Sequence, residues 1–215
     1  MFSAILFDLD GTLANTDPLH FSIWKEMLAE FGLQIDRAFY QQQISGRVNE
    51  EILQNILPQL SIQEGLQFAE KKEKRYRESA PTLSPTPGLD KLLQWIQENK
   101  LQQAVVTNAP RNTAVHTLKV LELTSTFPTV ILAEDAPPGK PDPAPYQLAL
   151  TRLGVDSNNA IAFEDSTTGI QSAVAAGIYT IGITSTHSSE ILLEAGASMA
   201  IADFNSEELW SLIGH

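Results

Sequence analysis

The chain has no cysteine, which rules out disulfide bonds, thiolate nucleophiles and cysteine-ligated zinc and fits a reducing compartment. Histidine is scarce, and His20, His116, His187 and His215 are too scattered for a histidine-rich metal site. Positive charge is also short. Against 26 Asp and Glu stand 14 Lys and Arg, a formal net charge of −12, so the molecular field repels nucleic acid and anionic membrane surfaces. No apolar run approaches the roughly 20 residues of a membrane-spanning helix. The first apolar run, Ala4 to Phe7, has no basic stretch before it and is interrupted by Asp8, so no secretory leader is expected. Neither a G-x-x-x-x-G-K-[ST] loop nor a G-x-G-x-x-G fingerprint is present, which leaves ATP and dinucleotides without a loop to hold them. Internal repeats and low-complexity segments are absent. These absences lead to the expectation of a soluble cytoplasmic protein without nucleic-acid or membrane partners.

What is present reads as a globular α/β protein. Hydrophobic residues make up 43% and charged residues 19% of the 215 positions, a composition and length suited to one core with a smaller inserted unit. Short β-rich runs recur at Ala4 to Phe7, Ala104 to Thr107, Thr129 to Leu132, Ala160 to Phe163 and Thr180 to Ile183. Their continuous apolar character predicts parallel strands buried on both faces. Helical stretches lie between the later ones: Thr113 to Leu121, Ala144 to Leu153 closed by Gly154, and Thr168 to Ala176 closed by Gly177. The alternation predicts a doubly wound, Rossmann-like parallel sheet with ligands at the carboxyl ends of its strands.

The interval between the first two strands departs from this rhythm. About 90 residues there are mainly helical in pattern, with amphipathic runs from Leu19 to Phe31 and Asn49 to Leu57 and a highly charged run from Gln63 to Ser79. They predict a small helical cap over residues 16–80, inserted into a core formed by residues 1–15 and 81–215. Asn15 to Pro18 and the prolines Pro81, Pro85 and Pro87 mark its two crossings, both compatible with hinges.

Four strand ends carry chemistry. Asp8-Leu9-Asp10-Gly11-Thr12 follows the first strand; residues two apart in extended chain point the same way, so Asp8 and Asp10 can converge before Gly11 permits a turn. Two close carboxylates call for a proton or a hard cation such as magnesium. The other ends offer Thr107-Asn108, Lys140-Pro141 and Glu164-Asp165-Ser166. Taken singly, each has a plain reading: an Asp-Gly turn, a helix cap, a surface lysine, an acidic turn. Their joint occurrence in this order is far rarer by chance.

The set Asp8-x-Asp10-Gly11-Thr12, Thr107, Lys140-Pro141 and Glu164-Asp165-Ser166 resembles the four signature motifs of the haloacid dehalogenase superfamily, and the match spans nearly the whole chain. Asp17-Pro18-Leu19-His20 with Trp24, and Phe163 to Ser166 followed by Gly169-Ile170, look like its β-phosphoglucomutase and sugar-phosphate phosphatase branch; Thr107 to Arg111 looks like plant-type small-sugar-phosphate phosphatases. The resemblance implies that Asp8 is the nucleophile, forming an aspartyl-phosphate, and that Asp10 is general acid and then general base. It implies a Mg2+ ion held by Asp8, the backbone carbonyl of Asp10, and Asp165, with Glu164 a ligand directly or through water. It makes Thr107 a donor to the phosphoryl group and Lys140 the positive charge beside phosphate and Asp8.

In the cap, Arg47 is a candidate for gripping substrate and alternatively a surface ion pair. His20 and Trp24 share a helix face, where the Trp24 ring also suits the cap core. Lys72 lies among Lys71, Lys74, Arg75 and Arg77, and corresponds to a cap lysine near substrate in the mutase relatives; Glu70, Glu73 and Glu78 favour a solvated, ion-paired helix face instead. Asn108, beside Thr107, completes the substrate-binding set. The expected activity is hydrolysis of a small phosphorylated metabolite by a monomer. The rival is a phosphosugar mutase, disfavoured because Ser45-Gly46-Arg47-Val48-Asn49 lacks the lysine before the cap glycine and the following Ser-Arg pair of mutases. Dehalogenase, phosphonatase and noncatalytic readings fit less well: dehalogenases need no metal and lack the second aspartate, no Schiff-base lysine is identifiable in the cap, and the acids, threonine and lysine form a complete set.

Overall fold

The computed structural model describes residues 2–214. Six strands, β1 (Ala4–Phe7), β2 (Gln102–Thr107), β3 (Val130–Leu132), β4 (Ala160–Glu164), β5 (Tyr179–Ile183) and β6 (Met199–Ile201), form one parallel sheet in the order β3-β2-β1-β4-β5-β6. The order reverses between β1 and β4, which opens a crevice at the carboxyl ends of those strands.

Ten α-helices lie among the described residues, α1 (Asp17–Ala29), α2 (Arg37–Gln43), α3 (Asn49–Ile56), α4 (Ile62–Ser79), α5 (Leu89–Glu98), α6 (Arg111–Val120), α7 (Ala144–Leu153), α8 (Thr167–Ala175), α9 (Ser189–Glu194) and α10 (Glu207–Ile213), with short 3-10 turns at Ala133–Asp135 and Ser157–Asn159. Period-two alternation sorts the strand side chains onto two faces. Ile5, Phe7, Val105, Ile161, Phe163 and Ile181 pack with Leu92 of α5, Leu118 of α6 and Leu209 of α10. On the other face Ala4, Leu6, Ala104, Val106, Ala160 and Ala162 meet Tyr146 and Ala149 of α7 and Ala173 of α8. The alanines there leave room for α7 to approach the sheet closely.

Helices α1 to α4 form a separate cluster around Trp24, Leu28, Tyr40, Ile52, Leu53, Phe68 and Tyr76. Helix α4 begins with a capping box: Ser61 accepts from the Glu64 amide, and the Glu64 carboxylate accepts from the Ser61 amide. The two chain segments joining this unit to the sheet are bound to each other. Thr86 donates from its amide to the Leu13 carbonyl (2.8 Å) and from its hydroxyl to the Thr12 carbonyl (2.7 Å), and Ala14 bridges Pro85.

The expected strands appear within two residues of their predicted bounds. Helices α2, α5, α9 and α10 and strand β6 are additions. Helix α5 carries apolar residues at Leu89, Leu92 and Ile96, a helical spacing that was legible, and packs in the sheet core. Helix α2 buries only Tyr40 and β6 is a three-residue edge strand, so neither carries much periodic signal.

Candidate active site

Parallel register brings the chemistry together. Phe7 lies opposite Val105 on one side and Phe163 on the other, so Asp8, Thr107 and Glu164-Asp165 emerge at the same edge. Lys140, on the loop between β3 and α7 and only 2% exposed, reaches into this edge from the side. Its ammonium donates to Asp8 Oδ1 (2.6 Å), Glu164 Oε1 (2.5 Å) and the Val106 carbonyl (2.7 Å), which uses all three protons. Burial pulls the Lys140 pKa down, but the charges of Asp8 and Glu164 outweigh it and hold the ammonium protonated. The Thr107 hydroxyl accepts from the Ala109 amide (3.0 Å), which leaves its own proton to donate into the cleft.

Asp8, Glu164 and Asp165 each place a carboxylate oxygen within 4.8 Å of the others. Burial, reinforced by the neighbouring carboxylates, pushes Asp8 and Asp165 well above the usual carboxylate range; Lys140 opposes it at Asp8 and the Thr186 hydroxyl at Asp165. Glu164 Oε1 also accepts from the Tyr146 hydroxyl (2.5 Å), whereas Oε2 is buried with no hydrogen-bond partner. Gly169 is packed against that oxygen, so any Cβ there would overlap it. Gly11, at φ +86°, is similarly pressed against Asp165 Oδ2. Three crowded carboxylates, one with an orphaned oxygen, could hold a hard, oxygen-liganded divalent cation. These residues fit magnesium.

The Asp10 carboxylate is held apart from that cluster. Its Oδ1 accepts from the Thr16 hydroxyl (2.8 Å) and lies 3.3 Å from His20 Nε2. Lys72 Nζ is 3.0 Å from His20 Nδ1; an ammonium can only donate, so Nδ1 is the acceptor and Nε2 carries the ring proton toward Asp10. The imidazole stacks on Tyr76, with centroids 4.2 Å apart. Burial raises the Asp10 pKa, but the hydrogen bonds from His20 and Thr16 and the charge of Lys72 carry it below the ordinary value.

Lys72 also pairs with Glu73 Oε1 (2.8 Å), both side chains being buried. Asn49 Nδ2 donates to the same oxygen (2.8 Å) and the Thr113 hydroxyl to Oε2 (2.7 Å). Burial raises Glu73 but the charge and hydrogen bond of Lys72, with the hydrogen bond from Asn49, overcome it and hold the carboxyl down at about 2.

All the residues expected at the site except Glu164 line one cleft of about 700 Å³, counting its open mouth, between the sheet edge and the helical insertion. Their roles divide. Trp24 is 2% exposed and stacks on Phe68, so its ring belongs chiefly to the insertion's own core. Arg47 touches the cleft but pairs with Glu51 (2.6 Å). Asn108 is a strut: Nδ2 donates to the Gly46 and Lys140 carbonyls (2.8 and 3.0 Å) and Oδ1 accepts from the Lys140 amide (3.0 Å), which braces the Lys140 loop against the insertion. Of the basic run, Lys71 and Arg75 pair with Glu30, Arg77 with Glu70 and Lys74 with Glu78, the expected solvated face. Glu73 departs from that expectation because it faces inward beside Lys72. Sequence reading also passed over Thr16, Thr113 and Tyr146. Thr16 sits four residues before His20, a readable helical spacing, but Thr113 and Tyr146 meet their partners only through the tertiary fold.

Clustered carboxylates, a fixed lysine and a threonine hydroxyl thus meet at the crevice of this parallel sheet. The chain belongs to the haloacid dehalogenase-like hydrolases, whose family model matches residues 5–183. It is 30% identical over 98% of its length to a phosphorylated carbohydrates phosphatase of Thermotoga maritima, covering 97% of that protein. It is 28% identical to a β-phosphoglucomutase of Bacillus subtilis, over 84% of this chain and 82% of that one. The structure of a family IA HAD hydrolase, variant 3, from Entamoeba histolytica superposes with a TM-score of 0.87 at 30% identity, covering 100% of both chains.

Proposed function

We propose that this chain is a magnesium-dependent phosphatase of small phosphate monoesters, sugar phosphates in particular, working through an aspartyl-phosphate on Asp8. The single observation that carries the reading is the convergence of Asp8, Asp10, Thr107 and Lys140 on one cleft. Lys140 engages Asp8 Oδ1, so Oδ2 is the oxygen that attacks phosphorus as the bond to the sugar oxygen breaks. Asp10 gives that oxygen its proton. Water then attacks phosphorus, Asp10 takes the water's proton, and the Asp8–phosphorus bond breaks to release phosphate and restore the carboxylate. The lowered pKa of Asp10 suits the second half; in the first, the negative charge of the arriving ester raises its proton affinity.

Asp8, the Asp10 carbonyl and Asp165 would hold magnesium, with Glu164 beside them; when bound, the ion supplies positive charge where phosphate meets the carboxylates. Thr107 donates to a phosphoryl oxygen and Lys140 compensates charge on the same side. Residues 16–80 act as a cap over the core of residues 1–15 and 81–215, and His20, Trp24, Arg47 and Lys72 shape the cleft for the substrate while Asn108 braces it. The reading extends to a cytoplasmic monomer; among the described residues no helix is long and apolar enough to cross a membrane.

A phosphate-release screen across small esters, with and without chelator, tests it. Magnesium-dependent turnover is expected for the wild type, with a loss of at least about 10,000-fold in Asp8→Asn. Full activity in that variant, or undiminished hydrolysis in chelator, would sink the mechanism. Isomerisation of β-glucose 1-phosphate with catalytic bisphosphate would move the chain to the mutases.

A further inference from the structure

Glu73 is a buried carboxylate, 3% exposed, that lines the cleft and has no part in the reaction steps above. Among the described residues, every lysine and arginine lining that cleft is already matched by an acid. Lys140 sits between Asp8 and Glu164, Arg47 is paired with Glu51, and Lys72 is paired with Glu73 itself. Arg111, at the start of α6 beside the cleft, is taken by Glu134 and Asp135. Beyond the positions that would receive the reacting phosphate, the insertion side therefore offers no uncompensated positive charge.

The carboxylate's own bonding points the same way. An ionised carboxylate has about four acceptor positions. Asn49 and Lys72 occupy two on Oε1, and Thr113 occupies one on Oε2. One Oε2 position is left, and it accepts only a donor. A sugar or polyol hydroxyl can fill it; a carboxylate or phosphate dianion cannot, and adds like-charge repulsion in a poorly solvated site.

Resting on the phosphatase reading of the same cleft, we infer that Glu73 is a specificity-determining residue that accepts a hydrogen bond from a substrate hydroxyl and selects monophosphates whose remaining skeleton is neutral and hydroxylated. Esters bearing a second phosphate or a carboxylate are rejected by that charge. This is selection by repulsion together with one attractive contact.

Binding to the turnover-dead Asp8→Asn variant, measured by calorimetry with magnesium present, tests the inference without requiring hydrolysis. Two matched pairs isolate charge: sorbitol 6-phosphate against 6-phosphogluconate, and fructose 6-phosphate against fructose 1,6-bisphosphate. The neutral member of each pair should bind roughly 100-fold more tightly. Adding Glu73→Gln should collapse both ratios to within about 10-fold, whereas a purely structural role would weaken both members alike and leave the ratios standing. Equal affinities within the pairs in the Asp8→Asn background, failure of both neutral ligands to bind, or ratios untouched by a folded Glu73→Gln variant would each overturn it. The first two are read without the Glu73 variant, so they decide the matter even if that variant does not fold. Loss of the phosphatase reading would appear separately, as a wild type that releases no phosphate from any ester.

Discussion

The sheet edge and the helical insertion build their halves of the cleft by opposite means. At the edge, backbone register does the placing: Asp8 follows a four-residue strand whose residues are wholly buried, and its neighbours β2 and β4 carry Thr107 and Glu164-Asp165 to the same height. In the insertion, side chains place one another through the chain Asp10, His20, Lys72, Glu73, Asn49 and Thr113, which passes from sheet edge to insertion and back to α6. Register is set by many cooperative hydrogen bonds and is hard to alter with one substitution, whereas a polar chain is altered at every link. The first half thus suits invariant chemistry and the second suits tuning.

The contrast can be broken at several links. Asp10→Asn, which keeps shape but removes the proposed proton carrier where the two halves meet, should lower kcat by about 100- to 10,000-fold, with a smaller loss of stability, about 1–2 kcal/mol, from the weakened Thr16 and His20 hydrogen bonds. An equal loss of stability would mean that Asp10 belongs to the scaffold. Lys140→Met removes the cation from two buried acids at the edge and should cost about 3–5 kcal/mol in urea unfolding, in addition to the loss of turnover; a neutral result would show that the edge tolerates unpaired carboxylates.

Acid sharpens the comparison on the insertion side. Glu73 has a folded-state pKa of about 2, below its ordinary 4.5, so its contribution is fully present above pH 4.5 and is lost as pH falls toward 2. The stability gap between wild type and Glu73→Gln should therefore shrink by up to about 3 kcal/mol on acidification from pH 6. A gap that stays constant across urea titrations in that range would deny Glu73 its ionised pairing. The smallest effect belongs to Arg47→Ala, because the guanidinium is partly exposed and already paired with Glu51. Stability should change by less than about 0.5 kcal/mol, and the specificity constant across sugar phosphates by under about 10-fold. An unchanged specificity constant would remove Arg47 from substrate binding.

Legibility followed the same division. The apolar runs ending in Asp8, Thr107 and Glu164 could be read from the chain because buried parallel strands are continuous apolar segments, and the ligand end of such a sheet is known once the strands are. Glycines closing helices, Gly154 at φ +66° and Gly177 at φ +79°, were legible because a left-handed residue at a helix end favours glycine. Helix α4 was legible as a helix but not in its facing: Lys72 and Glu73 look like the rest of a charged run, and only the packing of α4 against α1, α3 and α6 turns them inward.

By itself the sequence determined the element alternation, the helical interruption after the first strand and the residue types at each strand end, since these depend on local periodicity and turn chemistry. Which acid carries an unpartnered oxygen, which lysine is spent on its neighbour, and which glutamate lines the cleft were decided only by the tertiary structure. Those are properties of pairs brought together from distant parts of the chain. Burial makes each such pairing consequential, because a charge withdrawn from water must find its partner within hydrogen-bond reach.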